Sequence, residues 1–293
     1  MQRISRVRQA LATAGVATLV LASSAVAGAS PTAHYNAAAA KLVPAAYKGK
    51  VLQVATDATY APDEYMNGTK MVGFDVQLIN AIATTLGLKV NENNVTFDNI
   101  IAGIKSGHYV IGNSSFTDTK AREAQVNFVD YFQAGEGVYA KSSSKLGFGG
   151  LKSFCGHSVA VETGTVEQTD AQTTAKSCPS SKKLSVLTFS TQTEANVAVS
   201  SGHAEFGFAD SQIAGYIVAT SKGAFKLVGK AVNVAPYGIA TPKTAAGLQL
   251  AKAIQAALKV LMANGTYHAI LTSYGVQAGA LPVARIQLNG ATS

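Results

Sequence analysis

The run Ser114-Ser115-Phe116-Thr117-Asp118-Thr119-Lys120-Ala121-Arg122 gathers hydroxyls and one guanidinium within nine residues. The hydroxyls of Ser115 and Thr117 can donate to a carboxylate. Arg122 can hold one through two parallel N–H bonds, a geometry that Lys does not reproduce. Beyond residue 29 the chain has only two arginines, Arg122 and Arg285, against 19 lysines, so an arginine here reads as chosen for its fork. The alternative is a helix start capped at Asp118 or Thr119, with a solvated Arg122. Thr163-Gly164-Thr165 is a second anion site: glycine allows close backbone approach, and N–H groups at the following helix start favour negative charge. Asp210 can accept hydrogen bonds from an ammonium, or act as an ordinary helix N-cap. An arginine with N–H groups on one side and an aspartate on the other describes a site for an α-amino acid.

Enzyme signatures do not compete with that reading. The chain has no G-x-S-x-G elbow, no H-E-x-x-H and no G-x-G-x-x-G. Gly223 to Lys230 has five residues between its glycines, not the four of a phosphate loop, and lacks the following Ser/Thr. His34, His108, His157, His203 and His268 show no metal-ligand spacing. The Asn67, Asn94, Asn113 and Asn264 sequons need no glycosylation to explain them.

The elements that must position these residues follow from periodicity. Val51-Leu52-Gln53-Val54-Ala55 reads as a buried strand ending at Thr56-Asp57, and Asn67-Gly68 as a type I′ hairpin turn. Phe74, Leu78, Ile82 and Leu86 recur at helical spacing and Gly87 closes that helix. Phe97, Ile100, Ile101 and Ile104 repeat the pattern up to Ser106-Gly107. Tyr109-Val110-Ile111 is a short strand that places the Ser114–Arg122 run at a carboxyl end, where ligands bind in open α/β sheets. The alternation then repeats. Val159-Ala160-Val161 is a strand before Thr163-Gly164-Thr165 and a helix to about Ala175. Leu184 to Leu187 is a strand before a helix from Thr191 to Ser201, and Phe206-Gly207-Phe208 is a strand that delivers Asp210. Leu250, Ile254, Leu258 and Leu261 line one face of a final helix stopped at Asn264-Gly265. Strands alternating with helices imply parallel sheets covered on both faces.

The chain of 293 residues, 47% hydrophobic and 14% charged, is long enough for two domains and too apolar to be disordered. Residues 1–29 read as a secretory signal. Arg3, Arg6 and Arg8 precede an apolar run from Ala10 to Ala22, too short for a bilayer span, and small residues give cleavage near Ala27 or Ala29. Its removal leaves 21 basic and 16 acidic residues, a net charge of +5. The lysines are scattered, with one pair at Lys182-Lys183, so no basic stripe marks a nucleic-acid surface. In an exported chain, Cys155 and Cys178 argue for one disulfide. Residues 30–49 read as a loose Ala-rich leader.

Seven segments carry a resemblance. They are Ala55-Thr56-Asp57-Ala58-Thr59-Tyr60-Ala61-Pro62, Val72-Gly73-Phe74-Asp75-Val76, the Ser114–Arg122 run, Val161-Glu162-Thr163-Gly164-Thr165, Ala209-Asp210, Pro236-Tyr237-Gly238-Ile239-Ala240 and Asn264-Gly265-Thr266-Tyr267. In this order, over about residues 50–275, they resemble the polar-amino-acid solute-binding proteins of ABC importers. The resemblance implies an α/β, two-lobed Venus-flytrap (periplasmic-binding-protein) fold, each lobe a mostly parallel sheet flanked by helices, with two hinge strands. Lobe 1 would be 50–138, lobe 2 would be 139–234, and 235–293 would return to lobe 1 with the C-terminal helices. By the same resemblance Tyr60 stacks on the ligand side chain and Asp57 contacts its tip. Ser115, Phe116, Thr117 and Arg122 belong to the lobe-one contacts with carboxylate and ammonium. Gly164 and Thr165 belong to the lobe-two carboxylate contact, and Asp210 accepts the ammonium. Three positions depart from the pattern. Asp63 replaces an aromatic after the proline, Tyr109 replaces an Asp, and Glu162 stands where the ligand side chain is faced.

These readings describe an exported, monomeric binding protein. It would work in the periplasmic or cell-envelope space, without cofactor, metal or nucleic acid, and deliver an amino acid to a membrane permease. A rival is an exported enzyme similar to the dehydratases acting on prephenate or arogenate, whose acid lies on the loop that here carries Glu167. A Glu at a helix start is more often a surface residue complementing the dipole. A sensory ligand-binding domain is a third reading, weakened because no membrane span follows. If Asp57, Glu162 and Glu167 face the cleft, with Arg122 its one cation, basic ligands lead, glutamine follows and acidic ligands bind worst. If Glu162 and Glu167 point to solvent, the pocket is neutral.

Overall fold

The computed structural model describes residues 32–291. The expected signal segment and its cleavage point lie outside the described residues. The first element is not the loose leader that the sequence suggests. Asn36 caps a short helix, α1 (Ala37–Ala40), by accepting from the Ala39 N–H at 3.0 Å. Ala39 and Val43 are buried in the same core as Leu52 and Phe74. Alanines carry no periodic signal, yet their small side chains let this helix pack closely on the two long helices beneath it.

The amino-terminal half comprises β1 (Val51–Thr56), a hairpin of β2 (Thr59–Tyr60), β3 (Glu64–Asn67) and β4 (Lys70–Val72), α2 (Phe74–Leu86), β5 (Lys89–Asn94), α3 (Phe97–Lys105), β6 (Ile111–Gly112) and α4 (Lys120–Glu123). β1 runs parallel to β5 on one side and to β6 on the other. Gly87, left-handed at φ +65°, ends α2 as expected. The hairpin turn differs by one residue. Asn67 pairs with Lys70, so the loop is Gly68-Thr69, and only Gly68 is left-handed, which excludes type I′. The strand expected at Tyr109 begins at Ile111, because the Tyr109 ring lies over α3, where a Cβ on Gly103 would approach it to 2.4 Å.

A strand of 16 residues, β7 (Val126–Lys141), leads into the other half. That half holds β8 (Ser158–Glu162), α5 (Val166–Lys176), β9 (Ser185–Phe189), α6 (Gln192–Ser201), β10 (Phe206–Asp210), α7 (Ser211–Thr220) and β11 (Phe225–Leu227). β8 is parallel to both β9 and β10. β12 (Val232–Pro242) then returns antiparallel to β7, and α8 (Ala245–Ala263) and α9 (Thr266–Ser273) follow.

The strand order is β5-β1-β6-β12-β7-β10-β8-β9, with β11 on β7. Two parallel triplets are thus joined through an antiparallel pair, giving the two-lobed α/β architecture. β7 pairs with β12 along its first part and with β10 and β11 along its second. Each half keeps its own apolar core. Leu250, Ile254, Leu258, Leu261 and Tyr267 join Leu52, Phe74 and Ile82 in the first, whereas Val159, Phe154, Phe206 and Ala171 belong to the second.

Candidate functional site

Four strands end at one place. β1 delivers Asp57 and, through the short β2, Tyr60; β6 delivers the Ser114–Arg122 run, β8 Glu162 to Thr165, and β10 Asp210. Between the halves they enclose a narrow cleft with about 10 Å³ of free space, room for little more than one water molecule. Of the residues expected there, Asp57, Tyr60, Ser115, Thr117, Arg122, Glu162, Thr165 and Asp210 line it, while Phe116 and Gly164 do not. Phe97, Ser114, Val166 and Glu167 complete the lining.

Phe116 acts from beneath. Its ring stacks on Phe97 at 4.5 Å between centroids, and the Arg122 guanidinium lies 5.3 Å and 5.4 Å from the two ring centres. Arg122 Nη1 donates to the Thr117 carbonyl at 2.7 Å and Nη2 to the Gly164 carbonyl at 2.9 Å, reaching from one half to the other. Burial pulls its pKa down, against the pull of Glu167 and Asp210 upwards. The alternative cap is also present: Thr119 Oγ1 accepts from the Arg122 N–H at 3.3 Å at the start of α4. Helix start and inward guanidinium coexist.

The hydroxyl of Ser115 does not point where the sequence placed it. Its Oγ donates to Asp63 Oδ2 at 2.9 Å or Glu64 Oε2 at 3.2 Å, so the proton expected for a ligand carboxylate serves buried acids behind the cleft. Ser114 Oγ likewise donates to Glu64 Oε1 at 3.0 Å and accepts from the Asp57 N–H at 2.9 Å. Asp75 joins this group, accepting from the Ser115 N–H at 3.0 Å and the Tyr131 hydroxyl at 2.7 Å; burial raises its pKa to about 6. These bonds hold Ser115, a non-glycine residue, at a left-handed φ of 49°.

Asp57 is similarly tied. Oδ1 accepts from the Thr59 N–H at 3.0 Å and its hydroxyl at 2.7 Å, and Oδ2 from the Phe97 N–H at 2.9 Å at the start of α3. It still faces the cleft beside Glu162, where burial raises both carboxyls. Gly164, left-handed at φ +85°, has Asp98 so close that an added Cβ would meet it at 3.1 Å. Its N–H donates to Gln168 Oε1 at 2.8 Å and is not free for an anion. Thr165 Oγ1 accepts from the Gln168 N–H at 3.1 Å, capping α5, and donates to the Glu162 carbonyl at 2.8 Å. Glu167 stands in the first turn of the same helix.

Glu167, whose orientation the sequence left open, is buried and lines the cleft, and its Oε1 has no hydrogen-bond partner. Burial, then Asp210 and Glu136, push its pKa well up. Glu162 is buried too, also with Oε1 unpartnered. Asp210 stands at the N-cap position of α7 without capping it. Its Oδ2 accepts from the Tyr60 hydroxyl at 2.8 Å across the cleft. Burial raises it to about 6, against hydrogen bonds from Tyr237 and Tyr60 and the charge of Arg122.

Cys155 and Cys178 are disulfide-bonded, with Cα atoms 5.5 Å apart. The bond ties the turn before β8 to the far end of α5, whose first turn carries Glu167. Among the described residues no group of acids, histidines or cysteines is arranged to hold a metal ion, and no helix is long and apolar enough to cross a membrane.

Comparison with known proteins agrees with this geometry. The model of the bacterial extracellular solute-binding proteins, family 3, matches residues 52–277. The chain is 28% identical over 240 residues to an arginine-binding protein of Corynebacterium glutamicum, covering 80% of this chain and 78% of that protein. It is 29% identical over 228 residues to the glutamine-binding protein of an ABC transporter of Bacillus subtilis, covering 75% and 78%. A solved ancestral arginine-binding protein, bound to arginine, superposes with a TM-score of 0.71 at 30% identity, over 77% of this chain and 98% of its own. Carboxyl-end loops converging on an interlobe cleft, with a family match over most of the length, place the chain among the bacterial extracellular solute-binding proteins of family 3.

Proposed function

We propose that this chain is the exported, monomeric binding component of an ABC importer. On this reading, closure of the two halves captures an amino acid with a cationic side chain, which the protein delivers to a membrane permease. The signal segment would be cleaved near Ala27 or Ala29. One observation carries the ligand class. Glu162 and Glu167 are buried with an oxygen unpartnered, beside Asp57 and Asp210, in a cleft whose lining holds one cation, Arg122. If Arg122 turns to a ligand carboxylate, an acidic ligand side chain enters unpaired, which costs several kcal/mol in a desolvated site. A basic side chain instead meets Glu162 and Asp57, with Tyr60 beside it. The arginine-binding relatives support the same class.

Glu167 favours one second reading. A buried acid of raised pKa beside Arg122 and Asp210 is what a dehydratase would need as proton donor. Titration calorimetry with arginine, lysine, ornithine, glutamine and glutamate, followed by incubation with prephenate or arogenate, separates the two. We expect arginine, lysine or ornithine to bind tightest, glutamate at least about 100-fold more weakly, and no change in product absorbance. Glutamate binding tighter than arginine overturns the charge reading, and turnover overturns the binding reading.

A further inference from the structure

We propose that Asp63 and Gln212 form a closure latch, a carboxamide–carboxylate contact that joins the two halves behind the cleft and sets how long the closed form lasts. Asp63 lies in the loop between β2 and β3, in the amino-terminal half, and is fully buried. Gln212 lies in the first turn of α7, in the other half. Its Nε2 donates to Asp63 Oδ2 at 2.7 Å and to the Tyr237 hydroxyl at 2.7 Å. Both amide hydrogens are thus engaged, one across the halves and one on the strand β12 that connects them. Tyr237 is itself fixed, fully buried with its ring against Tyr131 and Phe132.

The Asp63 end is equally fixed. Its carbonyl accepts from the Asp75 N–H at 3.0 Å. Gly73 lies so close that a Cβ there would stand 2.0 Å from that carbonyl oxygen. Asp63 Oδ2 also accepts from Ser115 Oγ, so the latch reaches the cleft through a residue that lines it.

Tyr60 with Asp210 and Arg122 with Gly164 also join the halves. Tyr60, Asp210 and Arg122 all line the cleft, where a ligand competes with or replaces those bonds. Asp63, Gln212 and Tyr237 do not line it. A ligand in the cleft does not compete for their contact, so it stabilises the closed form whichever ligand is inside.

The latch rests on the reading that the halves close on a ligand, and its test works with or without one. Gln212→Leu removes both donors at similar volume, and Gln212 is only partly buried, so folding should survive. Asp63→Asn keeps an oxygen that can accept from Gln212. Small-angle X-ray scattering of the free and arginine-saturated protein reads the separation of the halves, stopped-flow fluorescence reads dissociation of arginine, and thermal melting serves as control. We expect Gln212→Leu to enlarge the radius of gyration of the free protein and speed arginine dissociation about tenfold, with association unchanged. Asp63→Asn should behave like the parent. A residue that only stabilised the fold would lower the melting temperature without moving either readout. Parent-like scattering and dissociation in Gln212→Leu would overturn the latch. If the parent binds no amino acid, the functional reading fails, and scattering of the free proteins decides the latch alone: equal radii reject it.

Discussion

The two walls of the cleft are built on different principles. The amino-terminal wall is self-sufficient. Asp57 accepts three hydrogen bonds from its own half, Ser114 and Ser115 are bonded to acids behind them, and Arg122 rests on two aromatic rings. The opposite wall contributes Glu162, Glu167 and Asp210, and two of these acids keep an oxygen without a partner. The first wall is preorganised by its fold, whereas the second is completed by whatever enters. A buried unpaired carboxyl is expensive, so the second wall either holds protons or meets a cation. On the proposed function, that asymmetry assigns selectivity to the acid wall and orientation to the donor wall.

The disulfide offers the largest expected effect, because it staples the acid wall and leaves the donor wall untouched. Reducing Cys155–Cys178, or replacing both with serine, should destabilise the protein by about 3 kcal/mol and lower Tm by about 6–12 °C. Calorimetry should also show weaker arginine binding, since α5 carries Glu167 at its start and the bridge near its end. An unchanged Tm would mean that the acid wall holds its shape without the bridge. Arg122→Lys probes the other wall. Losing the planar fork should weaken binding by about 2 kcal/mol while the aromatic shelf keeps its packing. An unchanged dissociation constant would remove Arg122 from the site and leave the acid wall to carry recognition alone.

The difference between the walls also marks where sequence reasoning reached and where it stopped. Periodicity located α2, α3 and α8, strand–helix alternation α5 and α6, and strand ends brought Arg122, Thr165 and Asp210 to one cleft, because all of these depend on residues close in the chain. The direction of the Ser115 hydroxyl depends on Asp63 and Glu64, about fifty residues earlier, and no local pattern carries it. The sequence leaves open whether Glu167 faces the cleft or solvent, because Arg122 and Asp210, with which it lines the cleft, lie 45 and 43 residues away. Gln212 gave no signal for the same reason, since its partners Asp63 and Tyr237 lie 149 and 25 residues away. The buried Ala39 and Val43 were missed because an alanine run has no face to read.

The smallest expected effect is a pH dependence, and it has opposite signs for binding and for stability. Asp210 titrates near 6 in the fold against an ordinary 3.8, chiefly because burial disfavours its charge. A ligand ammonium needs the ionised form, so affinity should rise with pH through about 6 and level off above 7. At pH 5, one unit below, roughly one carboxyl in ten is ionised, and arginine should bind about tenfold more weakly than at pH 7.5. Stability of the free protein runs the other way. A raised pKa means that the folded chain holds this proton more tightly than the unfolded one. The stabilisation is complete below pH 3.8 and disappears as pH rises through 6. Asp118, raised by burial and Asp130 to about 8, and Glu136, raised by burial and Asp170 to about 8, extend the same decline to higher pH. Between pH 5 and 7.5 the free protein should therefore lose Tm while its affinity for arginine grows. Asp210→Asn should abolish the slope in affinity and leave the decline set by Asp118 and Glu136. An affinity that stays flat across this range would show that Asp210 is already ionised at pH 5, and that the acid wall meets its ligand without giving up a proton there.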